Sequence, residues 1–215
     1  MQDLVELLKG NSYPGRGIAV GRRGGRTCVY YFIMGRSANS RNRVFAQCTD
    51  GIRTEAFDPD ALVDSSLIIY HPVRCMGDDL VVTNGDQTDT IVERGSFTEA
   101  LMTRAFEPDA PNFTPRISAL VHANGSFTLS ILRRNASGRC VRAFFAYEGV
   151  DEGQGLFIST YQHDGDPLPS FAGEPLEVGL QEPDAVWHAL DADNKVSLYA
   201  RLGDEVRLYN KNLGD

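Results

Sequence analysis

Apolar and polar residues alternate along most of this chain, and short turns that contain glycine separate the alternating segments. An alternation with a period of two residues is typical of a β-strand that buries one face. The pattern therefore predicts a protein that is dominated by strands. The predicted strands cover residues 17–22, 27–34, 43–48, 52–57, 66–75, 80–83, 116–123, 126–132, 141–147, 156–161, 196–202 and 206–209.

Three segments have the spacing of an amphipathic helix instead. The first covers residues 4–8, and Asp3 is placed to cap it. The second covers residues 95–106, where Ser96 begins a capping box. The third covers residues 182–190. These helices are too few to alternate with the strands.

The order of elements argues against a doubly wound nucleotide-binding sheet, in which each strand is followed by a helix. It favours an α+β protein with two packed sheets and helices outside them. The 215 residues suit one large domain with a sizeable core, and we find no internal repeat and no linker. We therefore expect a single domain over residues 1–215, in which residues 1–12 form an N-terminal extension with a short helix.

One stretch, VVTNGDQTDTI at residues 81–91, interrupts the apolar pattern. Eight consecutive residues from Thr83 to Thr90 are polar or glycine, and none is lysine or arginine. Asn-Gly between residues that favour strands is a strong hairpin signal, so a surface turn is the simpler interpretation. The alternative is that the amides, hydroxyls and carboxylates of this stretch bind a ligand.

The charges are unevenly distributed. The net charge is −8, yet no acidic residue lies between Glu6 and Asp50. That window holds eight basic residues, which give either a solvated basic surface or a site for a small anion. A nucleic-acid-binding protein is usually basic overall, so nucleic acid is not the expected partner.

Other classes of protein are disfavoured by what the sequence lacks. The cysteines and histidines show no spacing typical of metal ligands, so we expect neither a metal nor another cofactor. No apolar run approaches the ~18 residues of a membrane span. The first residues lack the features of a signal peptide, and we expect a cytoplasmic protein that does not bind membranes.

Three polar segments lie at the ends of predicted strands: GRSANSRNR (residues 35–43), TNGDQTDT (residues 83–90) and FEPDAPNFTPRI (residues 106–117). Arginines in the first suit a phosphate. Carboxylates and amides in the second suit ribose hydroxyls or the N–H groups of a base. The third is a proline-rich loop that adds further charged and amide groups. Together they predict a nucleoside monophosphate as the ligand.

The segments YPGRGIAVG, GRSANSRNR, VVTNGDQTDTI, NFTPRI and ISTY occur in the order and approximate spacing found in the archaeal-type, single-function IMP cyclohydrolases, which this chain resembles over about residues 13–175. The resemblance implies a four-layer αββα sandwich like that of the N-terminal nucleophile hydrolases, used without their nucleophile. It also implies the cyclisation of 5-formamido-1-(5-phosphoribosyl)imidazole-4-carboxamide to IMP with loss of water, the last step of de novo purine biosynthesis.

For this reaction we expect Glu107 to act as the acid or base, because burial beside a proline-rich loop would raise its pKa. Tyr70 is expected to donate a proton, and Arg116 either to stabilise an oxyanion or to lock the loop by ion pairing. The residues predicted to bind the substrate are Arg16, Arg36, Asn39, Arg41, Arg43, Asn84, Asp86, Thr88, Asp89, Asn112, Thr114 and Tyr161.

Phe106 departs from the resemblance, which leads us to expect a tyrosine before the glutamate. Two other functions therefore stay open. One is a different amide hydrolase on the same fold, which needs a nucleophile that processing exposes. The other is a purine-nucleotide-binding protein without catalytic activity. In each case the partner is a small molecule, and the sequence is compatible with a homo-oligomer.

Overall fold

The computed structural model describes residues 1–63, 65 and 67–215, most of them in strands. The helices are α1 (Leu4–Lys9), α2 (Ala38–Arg41), α3 (Gln87–Arg94), α4 (Phe97–Met102) and α5 (Pro183–Ala189). None of the described helices is long and apolar enough to cross a membrane. The strands are β1 (Gln2–Asp3), β2 (Arg16–Arg23), β3 (Arg26–Met34), β4 (Arg43–Cys48), β5 (Gly51–Ala56), β6 (Val73–Met76), β7 (Asp79–Thr83), β8 (Arg116–Val121), β9 (Phe127–Arg134), β10 (Cys140–Tyr147), β11 (Gln154–Ser159), β12 (Leu176–Gly179), β13 (Lys195–Leu202) and β14 (Glu205–Asn210).

The strands form two sheets of seven strands each. Sheet 1 has the order β1-β12-β11-β2-β3-β13-β14, and sheet 2 has the order β10-β9-β8-β7-β6-β5-β4. Neighbouring strands are antiparallel except for β1 and β12, which run parallel. Gly24 and Gly25 join β2 to β3 with φ values of 59° and 72°, a left-handed conformation that glycine adopts without a steric penalty.

Three hydrophobic cores arrange the elements in layers. The core between the sheets contains Ile18 of sheet 1 and Ile117 of sheet 2. A second core joins the outer face of sheet 1 to α1 and α5, and Trp187 is its largest buried side chain. A third joins the outer face of sheet 2 to α3 and α4 through residues such as Ile91 and Leu101. The predicted α+β arrangement, with two packed sheets and helices outside them, is confirmed.

The N-terminal residues complete sheet 1. Leu4 and Leu8 are each only 1% exposed in the core below α1, and α1 packs on α5. The predicted N-terminal helix is confirmed. Asp3 stands at its N-cap position but makes no capping hydrogen bond through its side chain. Its backbone pairs with β12 instead.

The interpretation of residues 83–90 as a hairpin turn was wrong. The chain turns at Asn84 and Gly85 and then forms α3, which Gly95 ends with a φ of 64°. The helix was missed because its first buried residues, Gln87 and Thr88, are polar and give no apolar stripe. They are buried because they face other polar groups.

The predicted strand at residues 66–75 is also largely wrong. Ser66 lies outside the described residues, and regular pairing covers only Val73–Met76. The apolar residues before it are used differently, since Ile68 and Tyr70 are buried whereas Ile69 is 37% exposed. The predicted helix at residues 95–106 is shorter, at Phe97–Met102, and the strands β1 and β12 were not predicted.

Candidate active site

Buried polar side chains gather at one end of the two sheets. Arg16, Arg43 and Arg116 are the first residues of β2, β4 and β8, and these strands begin where their partners β3, β5, β7 and β11 end. All three arginines are less than a tenth exposed. Both sheets therefore contribute cations to one cluster between them.

Glu107 lies among these arginines. Its side chain is 2% exposed, and its backbone N–H donates to the Thr114 carbonyl at 2.9 Å. Burial raises the pKa of the Glu107 carboxyl to about 7, while the charges of Arg16 and Arg116 act in the opposite direction. The structure therefore buries Glu107 as the sequence led us to expect, and its catalytic role stays a prediction. The carboxyl makes no hydrogen bond or ion pair within the described part of the chain, so it is available to exchange a proton with a ligand.

The arginines have N–H groups without an acceptor. Nε of Arg16, Nη1 of Arg43 and Nε of Arg116 are buried and unpaired among the described residues. Burial lowers the pKa of the Arg43 guanidinium below its ordinary value, and the nearby charge of Arg16 adds to this effect. For Arg16 burial acts in the same direction, but Glu107 and nearby tyrosines raise its pKa overall. An anionic ligand would supply the acceptors that these groups lack.

Arg116 is held from one side by the turn between β7 and α3. Its Nη1 donates to Oε1 of Gln87 at 2.6 Å and lies 2.7 Å from Oδ1 of Asp86. Asp86 also pairs with Arg104. Burial would raise the pKa of the Asp86 carboxyl, but the hydrogen bond from Arg104 and the charge of Arg116 lower it below its usual value. Asp86 thus stays ionised beside Arg116.

Asn84 and Thr88 are fully buried and hold this turn in place. Asn84 Oδ1 accepts from the backbone N–H of Ile117 at 2.8 Å, and its Nδ2 donates to the Pro115 carbonyl at 2.9 Å. Thr88 Oγ1 shares a 2.6 Å hydrogen bond with Oγ1 of Thr83. These side chains connect the start of α3 to the start of β8, and their predicted contact with substrate stays a prediction.

Tyr70 reaches the cluster from the loop between β5 and β6. Its hydroxyl lies 2.8 Å from the hydroxyl of Tyr31, and both side chains are buried. Burial raises the pKa of Tyr31 well above its ordinary value, and the neighbouring Tyr70 adds to this effect. Tyr31 stacks on Phe45, with 5.7 Å between the ring centroids, which fixes its orientation. Tyr70 therefore has a rigid partner for its hydroxyl.

A second pair of hydrogen-bonded hydroxyl groups lies beside the cluster. The hydroxyl of Tyr161 lies 2.6 Å from Oγ1 of Thr114, and Thr114 Oγ1 in turn donates to the Asp109 carboxylate. Tyr161 also stacks on Tyr13, with 6.0 Å between centroids. Burial raises the pKa of Tyr161 to about 12, although Arg16 acts in the opposite direction. Two of the predicted binding residues, Thr114 and Tyr161, thus lie beside the arginine cluster.

The other predicted binding residues have partners among the described residues. Arg36 pairs with Asp164 at 2.8 Å, and Arg41 donates to the carbonyl of Gly35 at 2.8 Å. Asp89 pairs with Arg74 at 3.0 Å and lies 3.2 Å from Nδ1 of His71.

Besides Asn84, the two other predicted asparagines also accept hydrogen bonds from backbone groups. Asn39 accepts from the backbone of Val63 at 3.2 Å, and Asn112 accepts from the backbone of Leu168 at 3.4 Å. Arg36 also lies over the ring of Tyr13, 5.2 Å from its centroid, and Tyr13 stacks on Tyr161 beside the arginine cluster. The roles of these five residues in binding stay predictions.

Sequence reasoning missed two members of the site. Tyr31 lies inside the apolar run VYYFIM, where an aromatic residue is ordinarily part of the core. Gln87 lies in a polar stretch that gave no sign of burial. Its Nε2 donates to Asn84 Oδ1 at 3.1 Å and to the Ile117 carbonyl at 3.3 Å. Neither residue could be identified without the contacts between distant segments.

The side chains of the cluster are of the kinds that transfer protons and bind anions. It combines a carboxyl with a pKa near 7, a buried tyrosine pair and three buried arginines. Among the residues that the structure describes, no group of three or more His, Cys, Asp and Glu side chains is arranged to hold a metal ion.

Comparison with known proteins identifies related chains. A model of a family described as IMP cyclohydrolase-like protein matches residues 13–207. An IMP cyclohydrolase from Methanocella arvoryzae is 29% identical over 158 residues, which cover 70% of this chain and 74% of the relative. An IMP cyclohydrolase from Methanosphaera stadtmanae is 25% identical over 159 residues, with the same coverage. Since the family match spans most of the sequence, the chain belongs to the IMP cyclohydrolase-like protein family.

Proposed function

We propose that this protein is an IMP cyclohydrolase, which closes the purine ring of 5-formamido-1-(5-phosphoribosyl)imidazole-4-carboxamide and releases water. The observation that carries the proposal is the Glu107 carboxyl, buried with a pKa of about 7 among arginines whose N–H groups lack acceptors. The family match and the names of the relatives agree with this activity.

The first step forms the new C–N bond. The carboxamide nitrogen of the substrate attacks the formyl carbon, and Glu107 takes one of its protons. The formyl oxygen becomes an oxyanion that Arg116 stabilises and Tyr70 protonates. Both reacting groups belong to one molecule, so holding them in the productive rotamer is worth several kcal/mol, of order 7–11 in well-oriented intramolecular reactions.

The second step removes water. The hydroxyl on the former formyl carbon leaves as water with the proton that Glu107 holds. The formamido nitrogen gives its proton to the Tyr70 phenolate that the first step left and forms the ring C=N bond, so both side chains return to their starting states. A carboxyl with a pKa near 7 suits this exchange, because it accepts and returns a proton with little energetic bias at neutral pH. The substrate loses two N–H hydrogens and one oxygen, which together make the released water.

The phosphate needs a cationic partner that is separate from the reacting atoms. We assign it to Arg43 and Arg16, which have unpaired buried N–H groups. Arg36 and Arg41 hold partners at the rim of the site, and their predicted contact with the phosphate requires these partners to exchange. For Asp86 we propose a role in orienting Arg116 in place of direct contact with the ribose.

At the level of fold, we propose that the two-sheet sandwich is the one used by the N-terminal nucleophile hydrolases. The layered order of helices, sheet, sheet and helices supports this assignment. The chemistry proposed here uses Glu107 and Tyr70, and it requires no terminal nucleophile.

The test is turnover of the formamido ribonucleotide to IMP by the purified full chain after treatment with a chelator. We expect Glu107→Gln to lower kcat/KM by a factor on the order of 10²–10⁴, because a general acid or base contributes about that much. Glu93→Gln is the matched control, since it makes the same chemical change on an exposed face of α3. IMP binding without turnover in the wild-type protein would instead support the non-catalytic nucleotide-binding protein.

A further inference from the structure

The direction of the Arg43 guanidinium depends on the backbone around it. The side chain is fully buried, and its Nη1 has no acceptor among the described residues. The two other nitrogens face backbone carbonyls, since Nε donates to Ser40 at 2.8 Å and Nη2 donates to Met34 at 3.4 Å. A shift of the backbone at residues 40–43 would therefore move both the arginine and one of the groups that hold it.

The backbone bends where these residues lie. Asn42 ends α2 and precedes β4, with φ and ψ values of −79° and 53° that belong to neither element. Asp58 holds one side of the bend, because its backbone N–H donates to Asn42 Oδ1 and its carbonyl accepts from Asn42 Nδ2, both at 2.7 Å. On the other side β4 is the last strand of sheet 2, so the support must come from a different part of the chain.

Asn212 supplies the support on that side. Its Nδ2 donates to the carbonyl of Arg41 at 2.8 Å and to the carbonyl of Arg43 at 3.1 Å, one on each side of the bend. The two hydrogens of one amide group thus join both carbonyls and fix the distance between them. Asn212 lies beyond residue 207, where the family match ends.

Asn210 holds Asn212 against the edge of sheet 2. The Asn210 side chain is buried, and its amide replaces a neighbouring strand: Oδ1 accepts from the backbone N–H of Phe45 at 2.7 Å, and Nδ2 donates to the Phe45 carbonyl at 3.1 Å. Ser197 of β13 donates to the same Oδ1 at 2.7 Å. Asn210 therefore connects sheet 1 to the first residues of β4, and Asn212 extends this connection to the bend.

We propose that Asn212 is a positioning residue for the phosphate of the nucleotide and that it acts through Arg43. By fixing the bend, it keeps the unpaired Nη1 of Arg43 directed at the anion. The inference rests on the proposed function, in which Arg43 binds the phosphate. Loss of Asn212 therefore weakens binding of the nucleotide and leaves the proton transfers of Glu107 and Tyr70 unchanged.

The first test separates binding from chemistry in the full chain. Asn212→Ala should raise the KM for the formamido ribonucleotide and the Kd for IMP about three- to tenfold, because the support of one or two hydrogen bonds is lost. The kcat should change by less than about twofold, since the reacting groups keep their places. A fall in kcat without a rise in KM would overturn the proposal.

Asn124→Ala is the matched control. Asn124 Oδ1 accepts from the backbone N–H of Ser126 at 2.9 Å in the turn between β8 and β9, at the end of β8 that lies away from Arg116. The substitution removes the same kind of support from the backbone but should leave KM and Kd unchanged. Thermal unfolding of both variants checks that they are folded, and an equal rise in KM in the control would overturn a specific role of Asn212.

The second test asks whether Asn212 acts through Arg43. Arg43→Lys keeps a positive charge but removes the guanidinium whose direction Asn212 fixes. In this background Asn212→Ala should change the Kd for IMP by less than about twofold, because two residues that act through one contact are not additive. Effects that multiply would show that the residues act independently, and this result would overturn the proposal.

The outcomes separate this inference from the proposed function. The Kd for IMP is measured by calorimetry and needs no turnover. A wild-type chain that binds IMP but does not convert the substrate would therefore contradict the enzymatic activity and leave the role of Asn212 measurable. Normal turnover with multiplying effects would overturn the role of Asn212 alone, and a chain that does not bind IMP would contradict both.

Discussion

Glu107 is buried together with three arginines at the centre of the site. A carboxylate that is 2% exposed is costly unless it is paired, and here burial outweighs the attraction of Arg16 and Arg116, so its pKa rises. At neutral pH the Glu107 carboxyl is therefore protonated in part of the molecules and ionised beside the arginines in the rest. Such a balance disfavours stability and favours proton transfer.

The stability that is lost by burying the Glu107 carboxyl can be measured as a function of pH. Above pH 4.5 the unfolded chain loses the Glu107 proton, whereas the folded protein keeps it until about pH 7. The folded state then binds more protons, so this group lowers the free energy of unfolding as pH rises through that window. Glu107→Gln should remove the effect. The variant should be more stable than wild type by roughly 3 kcal/mol at pH 8, and about equally stable at pH 4.

Urea unfolding of both proteins at the two pH values checks this expectation. Glu93→Gln is again the control and should follow the wild-type dependence on pH, since Glu93 is exposed. If Glu107→Gln were less stable than wild type at pH 8, the carboxylate would be stabilised by its arginines, and the raised pKa would be wrong.

Gln87 should influence catalysis through Arg116. Gln87→Glu places a carboxylate 2.6 Å from Nη1 of Arg116, and so partly neutralises the charge that lowers the pKa of Glu107. The inflection near pH 7 in the profile of kcat/KM should move to higher pH. Gln47→Glu is the matched control, because it adds the same charge in an exposed position near the far end of β4. A profile that moved equally in both variants would show a general charge effect and no positioning by Gln87.

The turn between β7 and α3 shows at the scale of elements what the sequence could and could not reveal. The stretch TNGDQTDT was identified as unusual because it interrupts an apolar pattern, and it does border the arginine cluster. Its helix was missed because Gln87 and Thr88 are buried against polar partners that come from residues 116–117 and 83–85. Periodicity reports only apolar burial, so a helix whose buried face is polar leaves no such signal.

Gly85 makes a close approach in this turn. A Cβ atom there would lie 2.5 Å from Nη1 of Arg116 and 2.7 Å from Oε1 of Gln87. Gly85→Ala should therefore displace both side chains, with a loss of about 1–3 kcal/mol in stability and a lower kcat/KM. Gly10→Ala is a suitable control, because its nearest contact would be 3.4 Å from a carbonyl of α1. Thermal unfolding and steady-state kinetics of the two variants test the difference, and an active Gly85→Ala enzyme would show that Arg116 tolerates displacement.

At the scale of the whole molecule, the sequence predicted the layers better than it predicted the site. Alternation of apolar residues is a local property, so β2, β3, β4, β5, β8 and β9 could all be located from it. The site depends on pairs such as Tyr31 with Tyr70 and Arg116 with Gln87, whose members are far apart in sequence. Among the residues that the sequence predicted for the site, Glu107, Arg116 and Tyr70 lie in or beside the cluster, whereas Arg36 and Arg41, which were expected at the phosphate, have other partners.

Because the cluster takes Arg16 and Tyr31 from sheet 1 and Arg43 and Arg116 from sheet 2, a nucleotide bound there should stabilise both sheets together. At a concentration of 100 times its Kd, IMP should add about 2.7 kcal/mol to the free energy of unfolding. For a chain of this size that corresponds to a rise in Tm of roughly 5–10 °C. Calorimetry should show one transition that moves as a whole, as expected for the single domain predicted over residues 1–215.

Inosine at the same concentration should cause little shift, because it lacks the phosphate that the arginines bind. Two separate transitions, of which only one responds to IMP, would contradict a site shared by both sheets, and an equal response to inosine would contradict the assignment of Arg43 and Arg16 to the phosphate.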